Sequence, residues 1–404
     1  MPLTSTSSSA LRVAVIPDSF KGSATASEVA EAMAAGVRRA AAVLDVEVHI
    51  QTLPFADGGE GTLDAICSAW GVQPRTAEVT DALGRAARGR YAVSEPNATG
   101  HRIGVIEAAE ANGLPQVSDV PPRPLEATTY GVGALVTAAL DAGAEEILLC
   151  IGGSATTDGG AGLAQALGAR LLDEHGHDLG PGGAALAQLH RIDLAGLDPR
   201  SLKVRWRIAC DVTNPLLGPE GAAAVFGPQK GADEDDVAVL DAALTRLVDV
   251  LTSQTGRDVR REPGTGAAGG MPVVLMSLFD AEILPGGALV AETLEARRLS
   301  ETADLVLTGE GRLDQQSLHG KVVDTVRSIT PRRTPLVVLA GSVDITPDQQ
   351  REAGITAAFS IAPGPQTLAE LQARAAERVA EAAEQIFTVY LAGRSRTVLH
   401  PPIR

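Results

Sequence analysis

Five glycine-rich loops that carry charged side chains each follow a predicted β-strand in this sequence. They are Pro17-Asp18-Ser19-Phe20-Lys21-Gly22-Ser23, Ala56-Asp57-Gly58-Gly59-Glu60-Gly61-Thr62, Gly152-Gly153-Ser154-Ala155-Thr156-Thr157-Asp158-Gly159-Gly160, Phe226-Gly227-Pro228-Gln229-Lys230-Gly231 and Thr308-Gly309-Glu310-Gly311-Arg312-Leu313-Asp314. Glycine lets backbone N–H groups approach a phosphate and adopt the positive φ angles that form an anion nest. The charged residues supply metal ligands, a base and counter-charges. Together the loops predict a phosphoryl-transfer site assembled from several strand ends.

Short apolar runs and a capping signal predict the elements that position these loops. Short apolar runs predict strands at residues 12–16 and 46–53. Thr25 and Glu28 match a capping box, which predicts that a helix begins there and ends near Ala42. A second helix over 63–69 gives the opening of a parallel, doubly wound sheet. Strands at 303–308, 335–340 and 355–361 continue the pattern, and 367–387 reads as a terminal helix.

The chain has 404 residues, which is too long for one typical core. We predict an α/β protein with a discontinuous, Rossmann-like parallel-sheet domain made of residues 11–75 and 287–390. Residues 76–286 are expected to form an inserted second α/β domain, and 1–10 and 391–404 to form flexible tails. Because ligands sit beyond the carboxyl ends of strands in open α/β sheets, we expect the active site in a cleft between the domains.

Composition and charge narrow the classes of function. The net charge of −16 disfavours binding to nucleic acid or to an anionic membrane. The three cysteines are far apart, and no apolar run reaches the roughly 18 residues of a membrane span. The Ser- and Thr-rich start lacks the features of a signal peptide. We therefore expect a cytoplasmic enzyme, as a monomer or a homodimer, with a small-molecule substrate.

Several familiar motifs are absent or lie in the wrong context. Neither the phosphate-binding pattern GxxxxGK[ST] nor the serine-nucleophile pattern GxSxG occurs. A GxGxxG pattern at 264–269 follows Arg261-Glu262-Pro263 and not a strand, so it does not predict dinucleotide binding. His175 and His177 lie among acidic residues without a further Cys or His cluster, which favours a solvated turn over a metal site.

Six motifs are more specific in combination than any one loop. They are Pro17-Asp18-Ser19-Phe20-Lys21-Gly22-Ser23, Ala56-Asp57-Gly58-Gly59-Glu60-Gly61-Thr62, Gly152-Gly153-Ser154-Ala155-Thr156, Cys210-Asp211-Val212-Thr213-Asn214-Pro215-Leu216, Phe226-Gly227-Pro228-Gln229-Lys230-Gly231 and Gly309-Glu310-Gly311-Arg312-Leu313-Asp314. From about Arg12 to about Ala383 they closely resemble the bacterial type I glycerate kinase family. The resemblance implies transfer of the γ-phosphoryl group of ATP to a hydroxyl of D-glycerate, with Mg²⁺. It also implies two α/β domains around a cleft, the first of them Rossmann-like.

Motif positions suggest the catalytic residues. Asp57 leaves a strand end into a glycine-rich loop and is our first choice for the base or for a Mg²⁺ ligand. Asp314, held by the Gly309-Glu310-Gly311 turn, is the rival, and the alternative for either carboxylate is to cap the following helix. Lys21 precedes a capped helix N-terminus, which is an anion site. Asp158 is a second candidate metal ligand.

The remaining candidates bind substrate or phosphate. Lys230, Arg312 and Lys321 are the cations expected near phosphates or the glycerate carboxylate, with exposed surface charge as the alternative for each. Backbone and hydroxyl donors come from Gly152, Gly153 and Ser154. The full set of binding candidates is Asp18, Ser19, Gly58, Gly59, Gly152, Gly153, Ser154, Asp211, Asn214, Lys230, Glu310, Arg312 and Lys321.

Other functions stay open at this stage. The resemblance favours the 2-hydroxyl of glycerate and thus 2-phosphoglycerate, with 3-phosphoglycerate as the alternative product. A kinase for another small hydroxy acid, such as a tetronate, is the nearest rival. An NAD(P)-dependent hydroxy-acid oxidoreductase and a non-catalytic glycerate sensor are rivals from other classes. The failed GxGxxG context counts against the oxidoreductase, and the charged residues kept in every loop count against the sensor.

Overall fold

A computed structural model describes residues 10–96, 100–318 and 320–394. The predicted tail residues 1–9 and 395–404 lie outside the described part. The strands are β1 (Leu11–Val15), β2 (Val48–Thr52), β3 (Arg75–Thr80), β4 (Ala86–Val93), β5 (Ile103–Glu107), β6 (Glu146–Cys150), β7 (Arg170–Leu172), β8 (Arg191–Asp193), β9 (Arg205–Ala209), β10 (Glu282–Leu284), β11 (Leu305–Leu313), β12 (Leu336–Val343) and β13 (Ala357–Ser360). The helices are α1 (Ala26–Val43), α2 (Thr62–Trp70), α3 (Ala109–Asn112), α4 (Tyr130–Asp141), α5 (Ala161–Ala166), α6 (Ala222–Phe226), α7 (Glu234–Thr255), α8 (Pro272–Phe279), α9 (Gly286–Thr293), α10 (Ala296–Glu301), α11 (Val322–Ile329), α12 (Pro347–Ala353), α13 (Leu368–Ala373) and α14 (Ala375–Arg394).

The chain divides into two compact units, with breaks after Asp57 and after Leu289. The segments before the first break and after the second form the first unit, and Gly58–Leu289 forms the second. The first break lies before α2, whereas the sequence placed it after this helix. The reason is that α2 contacts β4 and β5 of the second unit. The predicted cleft between two domains stays a prediction.

The first unit is built on a five-stranded parallel sheet in the order β13-β12-β11-β1-β2. The N-terminal strand β1 lies beside β11 in the register Val13↔Leu305. This arrangement confirms the predicted parallel sheet shared by the two ends of the chain and the α/β class. All the loops at the carboxyl ends of these strands emerge on one edge, as expected for parallel strands.

Helices α1 and α14 pack against each other on this sheet. The predicted capping box begins α1: the Thr25 side chain accepts from the Glu28 N–H, and the Glu28 carboxylate accepts from the Thr25 N–H. Met33 and Val37 of α1 and Phe387 of α14 are fully buried in the core of the unit. The capping box determines the residue at which α1 begins, and the apolar face of α1 determines which side of the helix packs on the core.

The second unit contains a mixed sheet in the order β10-β9-β6-β5-β4-β3. Strands β10, β9, β6 and β5 are parallel, and β4 and β3 join them in antiparallel fashion. The buried residues of α4, α7 and α8 cover the sheet with Leu, Val and Ala side chains, around the buried Trp206 of β9. Among the described residues, no helix is long and apolar enough to span a membrane.

The predicted terminal helix is divided into two helices in the structure. The sequence predicted a terminal helix over 367–387, but the chain leaves helical geometry at Arg374, between α13 and α14. A capping box of Thr367 and Glu370 begins α13. None of the described side chains of α13 is buried, so this short helix contributes little to the core.

Candidate active site

A cavity of 540 Å³ opens at the carboxyl edge of the sheet in the first unit. The loops after β1 and β2 line it, together with the ends of β11 and β12 and the start of α11. These segments include three of the five glycine-rich loops that the sequence singled out, through Asp18, Asp57 and Glu310. Parallel strands bring these segments together because their carboxyl ends share one edge.

Four carboxylates line this cavity, those of Asp18, Asp57, Glu310 and Asp314. Asp18 is fixed by its backbone, whose N–H donates to the Gly309 carbonyl over 2.8 Å, and by its side chain, which accepts from the Ser19 N–H over 2.6 Å. Burial and the neighbouring Asp57 raise the pKa of Asp18 to about 6, although the Ser19 N–H and Lys21 act in the opposite direction. Burial is the main cause of this rise in pKa, and the repulsion from Asp57 adds to it.

Glu310 stands out among the buried carboxylates. It is 6% exposed, and its Oε1 atom has no hydrogen-bond partner among the described residues. Burial raises the pKa of Glu310 to about 7, with contributions from Asp18 and Asp314, against the effects of Ser317 and Lys321. An unpartnered buried oxygen is costly, so this atom is suited to bind a ligand or a cation.

Cationic side chains line the same cavity. Lys21, Arg312 and Lys321 all contribute to its wall. Arg312 also forms an ion pair with Asp344 over 2.7 Å, and its side chain is 66% exposed. The cavity thus places these cations near the four carboxylates, which is the charge pattern expected for a phosphate-binding site.

Asp314 has local hydrogen bonds that favour a capping role. Its Oδ1 accepts from the backbone N–H groups of Gln316 and Ser317, at the start of a short helical turn. Burial raises its pKa, but these N–H groups, with Lys321 and Arg312, outweigh that effect and lower the pKa below its ordinary value. Asp57 is half-buried and lines the same cavity.

Residues 58–61 of the loop that contains Asp57 belong to the second unit, where they approach the Gly152–Ser154 loop. A Cβ atom on Gly152 would lie 3.2 Å from the Gly59 Cα, and one on Gly58 would lie 2.7 Å from the Ala209 Cβ. Gly58 and Gly153 have positive φ angles of 90° and 73°. Glycine is needed here for the close approach and for the backbone conformation. The candidates Gly58, Gly59, Gly152 and Gly153 therefore cluster at one end of the second sheet.

Lys230 is buried beneath the Gly152–Ser154 loop. Its Nζ donates to the Thr156 carbonyl over 2.6 Å and to the Ser154 Oγ over 3.3 Å. Burial lowers its pKa to about 7, although Asp158 acts to raise it. Lys230 is 4% exposed, so the structure makes it a residue that positions this loop.

The structure argues against Asp158 as a metal ligand. This fully buried carboxylate accepts hydrogen bonds from the Thr129 N–H and hydroxyl and from the N–H groups of Gly160 and Gly162. Burial raises its pKa, and these four donors oppose the rise. Asp158 thereby ties the start of α4 to the start of α5, which is a structural task.

Asp211 and Asn214 follow β9 and also have structural contacts. The Asp211 carboxylate accepts from the Gly286 N–H over 2.8 Å, and the Asn214 side chain donates to the Glu220 carbonyl over 2.9 Å. Both residues remain at the carboxyl end of the second sheet, as the sequence predicted from their position after a strand.

Sequence reasoning missed Glu107, at the end of β5. Its carboxylate accepts from the N–H groups of Gly61 and Leu63, over 3.1 and 3.2 Å, at the N-terminus of α2. Gly61 has no side chain with which to cap this helix. Glu107 therefore acts as the cap and fixes the end of the Gly58–Gly61 loop. Its position at a strand end was the one available signal.

No group of three or more His, Cys, Asp or Glu side chains in the described ranges is arranged to hold a metal ion. His175 and His177 lie in an exposed turn around Asp173, as predicted. Mg²⁺ in phosphoryl-transfer sites often takes only one or two carboxylates and completes its shell with waters and phosphates. Such a partial site is the kind that the cavity of the first unit offers.

The parallel sheet with a charged cavity at its carboxyl edge defines the class of protein, an α/β protein with a site for a charged ligand. Comparisons with known proteins define the family. The model of the glycerate kinase family matches residues 13–391. The chain belongs to this family and so to the phosphotransferases. It is 42% identical to the glycerate kinase of Bacillus subtilis and 40% identical to the glycerate 2-kinase of Escherichia coli, in each case over 93% of this chain and 97% of the relative. A crystal structure described as a glycerate kinase 2 from Salmonella typhimurium LT2 has a TM-score of 0.85 and 41% identity, covering 95% of this chain and 99% of that one.

Proposed function

We propose that this protein transfers the γ-phosphoryl group of ATP to the 2-hydroxyl of D-glycerate, giving 2-phosphoglycerate and ADP. Membership of the glycerate kinase family and 40% identity to a protein named glycerate 2-kinase support the reaction and the position. The observation that carries the proposal is the cavity of the first unit, in which Asp18, Asp57 and Glu310 share walls with the cationic side chains of Lys21, Arg312 and Lys321.

Phosphoryl transfer requires little covalent chemistry from the protein. The substrate hydroxyl oxygen attacks the γ-phosphorus, the bond from that phosphorus to the β–γ bridging oxygen breaks, and ADP leaves with the electron pair. A carboxylate accepts the hydroxyl proton, and we assign this task to Asp57, with Asp314 as the alternative. Lys21, Lys321 and Arg312 would offset the negative charge of the phosphates.

The residues of the cavity fit a magnesium ion. Glu310 presents a buried oxygen without a partner, and the Asp18 carboxylate lies close enough to affect its pKa. Asp57 in turn raises the pKa of Asp18. Asp18 and Glu310 would hold Mg²⁺, which would supply charge neutralisation at the phosphates when it is bound. Asp57 is kept as the base, and neither Asp57 nor Asp158 is assigned to the metal.

The second unit would contribute the acid-binding groups. Gly58 and Gly153 have positive φ angles, and a backbone of that conformation can turn N–H groups towards an anion. Lys230 and Glu107 would position these loops, and Asp211 and Asn214 would contact the glycerate hydroxyls. We expect this work to take place in the cytoplasm.

Product analysis tests the proposal directly. Purified protein is incubated with ATP, Mg²⁺ and D-glycerate, and enolase is added with and without phosphoglycerate mutase. Phosphoenolpyruvate formed with enolase alone identifies 2-phosphoglycerate. A signal that requires the mutase identifies 3-phosphoglycerate. No signal from folded protein would refute the assigned substrate and direct attention to other hydroxy acids or to a sensor role. Absorbance of a nicotinamide cofactor tests the oxidoreductase alternative.

A further inference from the structure

One wall of the cavity in the first unit is made of aliphatic side chains that the proposed chemistry does not use. This aliphatic wall consists of Ile361, Leu368, Leu371 and Ala375. Ile361 follows β13, the two leucines belong to α13, and Ala375 begins α14. The wall comes from the C-terminal end of the chain, whereas the acids come from the ends of β1, β2 and β11.

The two leucines have no role in the core. None of the described residues of α13 is buried, and Leu368 is 70% exposed. An exposed leucine on its own needs no explanation. Two leucines on a short helix that both line a 540 Å³ cavity are different, because an apolar surface inside a concave pocket marks a binding site.

The same cavity is charged elsewhere along its wall. Asp18, Lys21 and Glu310 line it together with the leucines. A ligand that fills this space must therefore carry an apolar part and a strongly polar part. A volume of 540 Å³ is in the range of pockets that hold drug-sized ligands and far exceeds the needs of a three-carbon acid.

We propose that the aliphatic wall binds the base and ribose of the phosphoryl donor, with its phosphates directed to the charged residues of the cavity. This inference rests on the proposed function, which requires a nucleoside triphosphate as donor. It assigns nucleotide binding to the first unit and gives α13 a task in substrate binding. The bound base is held by burial against Leu368 and Leu371, since the wall contains no aromatic side chain on which the base could stack.

Binding measurements with two probes test the assignment. Titration calorimetry of the full-length protein with ADP and Mg²⁺ reports on the whole site, and inorganic tripolyphosphate reports on the charged part alone. In the double variant Leu368→Ser/Leu371→Ser we expect the Kd for ADP to rise at least tenfold and the Kd for tripolyphosphate to change less than twofold. In steady-state assays, KM for ATP should rise while KM for glycerate stays unchanged.

Val389→Ser is the matched control, because Val389 is 72% exposed on α14 and does not line the cavity. It should leave both Kd values unchanged. The single variant Leu368→Ser changes a largely exposed side chain and keeps the test valid if the double variant fails to fold. An ADP affinity within twofold of wild type in a folded Leu368→Ser/Leu371→Ser protein, or in Leu368→Ser when only that variant folds, would overturn the inference.

The outcomes separate this inference from the proposed function. If ADP binds and depends on the leucines but no glycerate is phosphorylated, the wall assignment stands and the substrate assignment fails. If glycerate is phosphorylated but the leucine variants raise only the KM for glycerate, the wall binds the acid, and the inference is refuted while the proposed function stands.

Discussion

Replacing Gly36 by alanine tests how closely α1 and α14 must approach. Gly36 lies in the middle of α1, where alanine is the better helix former by about 1 kcal/mol. A Cβ atom at this position would lie 2.2 Å from the Ala380 carbonyl oxygen and 2.9 Å from the Glu384 backbone nitrogen. Both obstacles are backbone atoms of α14, so no side-chain rotation can make room. The two helices must separate.

The cost of separation exceeds the gain in helix propensity. Overpacking of a core contact costs about 1–3 kcal/mol, and here it also loosens the packing of the buried Met33 and Phe387. Because both obstacles are backbone atoms, we expect the upper part of this range, about 2–3 kcal/mol, and subtracting the propensity gain of about 1 kcal/mol leaves a net loss of about 1–2 kcal/mol in unfolding free energy for Gly36→Ala. Urea unfolding followed by circular dichroism measures this loss, and a fall in Tm of about 4 °C should accompany it.

Gly393→Ala is the matched control on the partner helix. Gly393 lies near the end of α14, and a Cβ atom there would meet nothing within 4 Å. The same chemical change should therefore leave stability unchanged or raise it by up to about 1 kcal/mol. A Gly36→Ala protein as stable as wild type, or equal losses at both positions, would refute the packing argument.

Three further predictions concern the candidate site. Asp57→Asn should lower kcat by about 100-fold or more in a coupled ADP-release assay. Asp314→Asn, which changes a local cap, should lower kcat less and should also reduce Tm. A larger loss of kcat in Asp314→Asn than in Asp57→Asn would make Asp314 the base. Asp158→Ala should lower the unfolding free energy by about 3 kcal/mol, because it strands four buried donors, and should leave the Kd for Mn²⁺ in a calorimetric titration unchanged; a weaker Mn²⁺ affinity in the folded variant would restore Asp158 as a ligand. Burial raises the pKa of Glu107 from its ordinary 4.5 to about 7, so the folded state holds this proton more tightly than the unfolded state. The unfolding free energy of the wild type should therefore fall relative to that of Glu107→Gln as pH rises from 5 to 8, by at most about 3 kcal/mol. Urea unfolding of both proteins at these two pH values measures the change. A rise in the relative unfolding free energy of the wild type would contradict the prediction.

Local sequence signals predicted the elements of the fold well. The Thr25–Glu28 capping box appears in the structure as the sequence indicated, and the strands β1 and β13 begin and end within two residues of their predicted bounds. Both kinds of signal depend on neighbours in sequence. The carboxyl ends of parallel strands also share an edge, so the meeting of Asp18, Asp57 and Glu310 followed from the predicted class.

The features that sequence could not predict depend on distant contacts. Glu107 caps a helix that begins 45 residues earlier in the chain, and Asp158 joins the starts of two helices. The burial of Lys230 beneath the Gly152–Ser154 loop is of the same kind, since a lysine in a glycine-rich loop is expected to be exposed. No local pattern distinguishes these structural roles from catalytic ones. The aliphatic wall is also invisible in sequence, because the break at Arg374 that separates α13 from α14 has no glycine or proline to announce it.

The pairing of β1 with β11 has a consequence for synthesis of the protein. The hydrogen bond from the Thr308 hydroxyl to the Ile16 carbonyl joins residues that are 292 positions apart. A ribosome that adds about 5–20 residues per second needs roughly 15–60 s to cover that distance. By the end of that time the ribosome has completed Gly58–Leu289, but the edge of β1 that faces β11 still has no partner strand. The nascent chain is therefore expected to hold a folded middle and an unfinished beginning, and its exposed first strand is the segment on which a molecular chaperone would act.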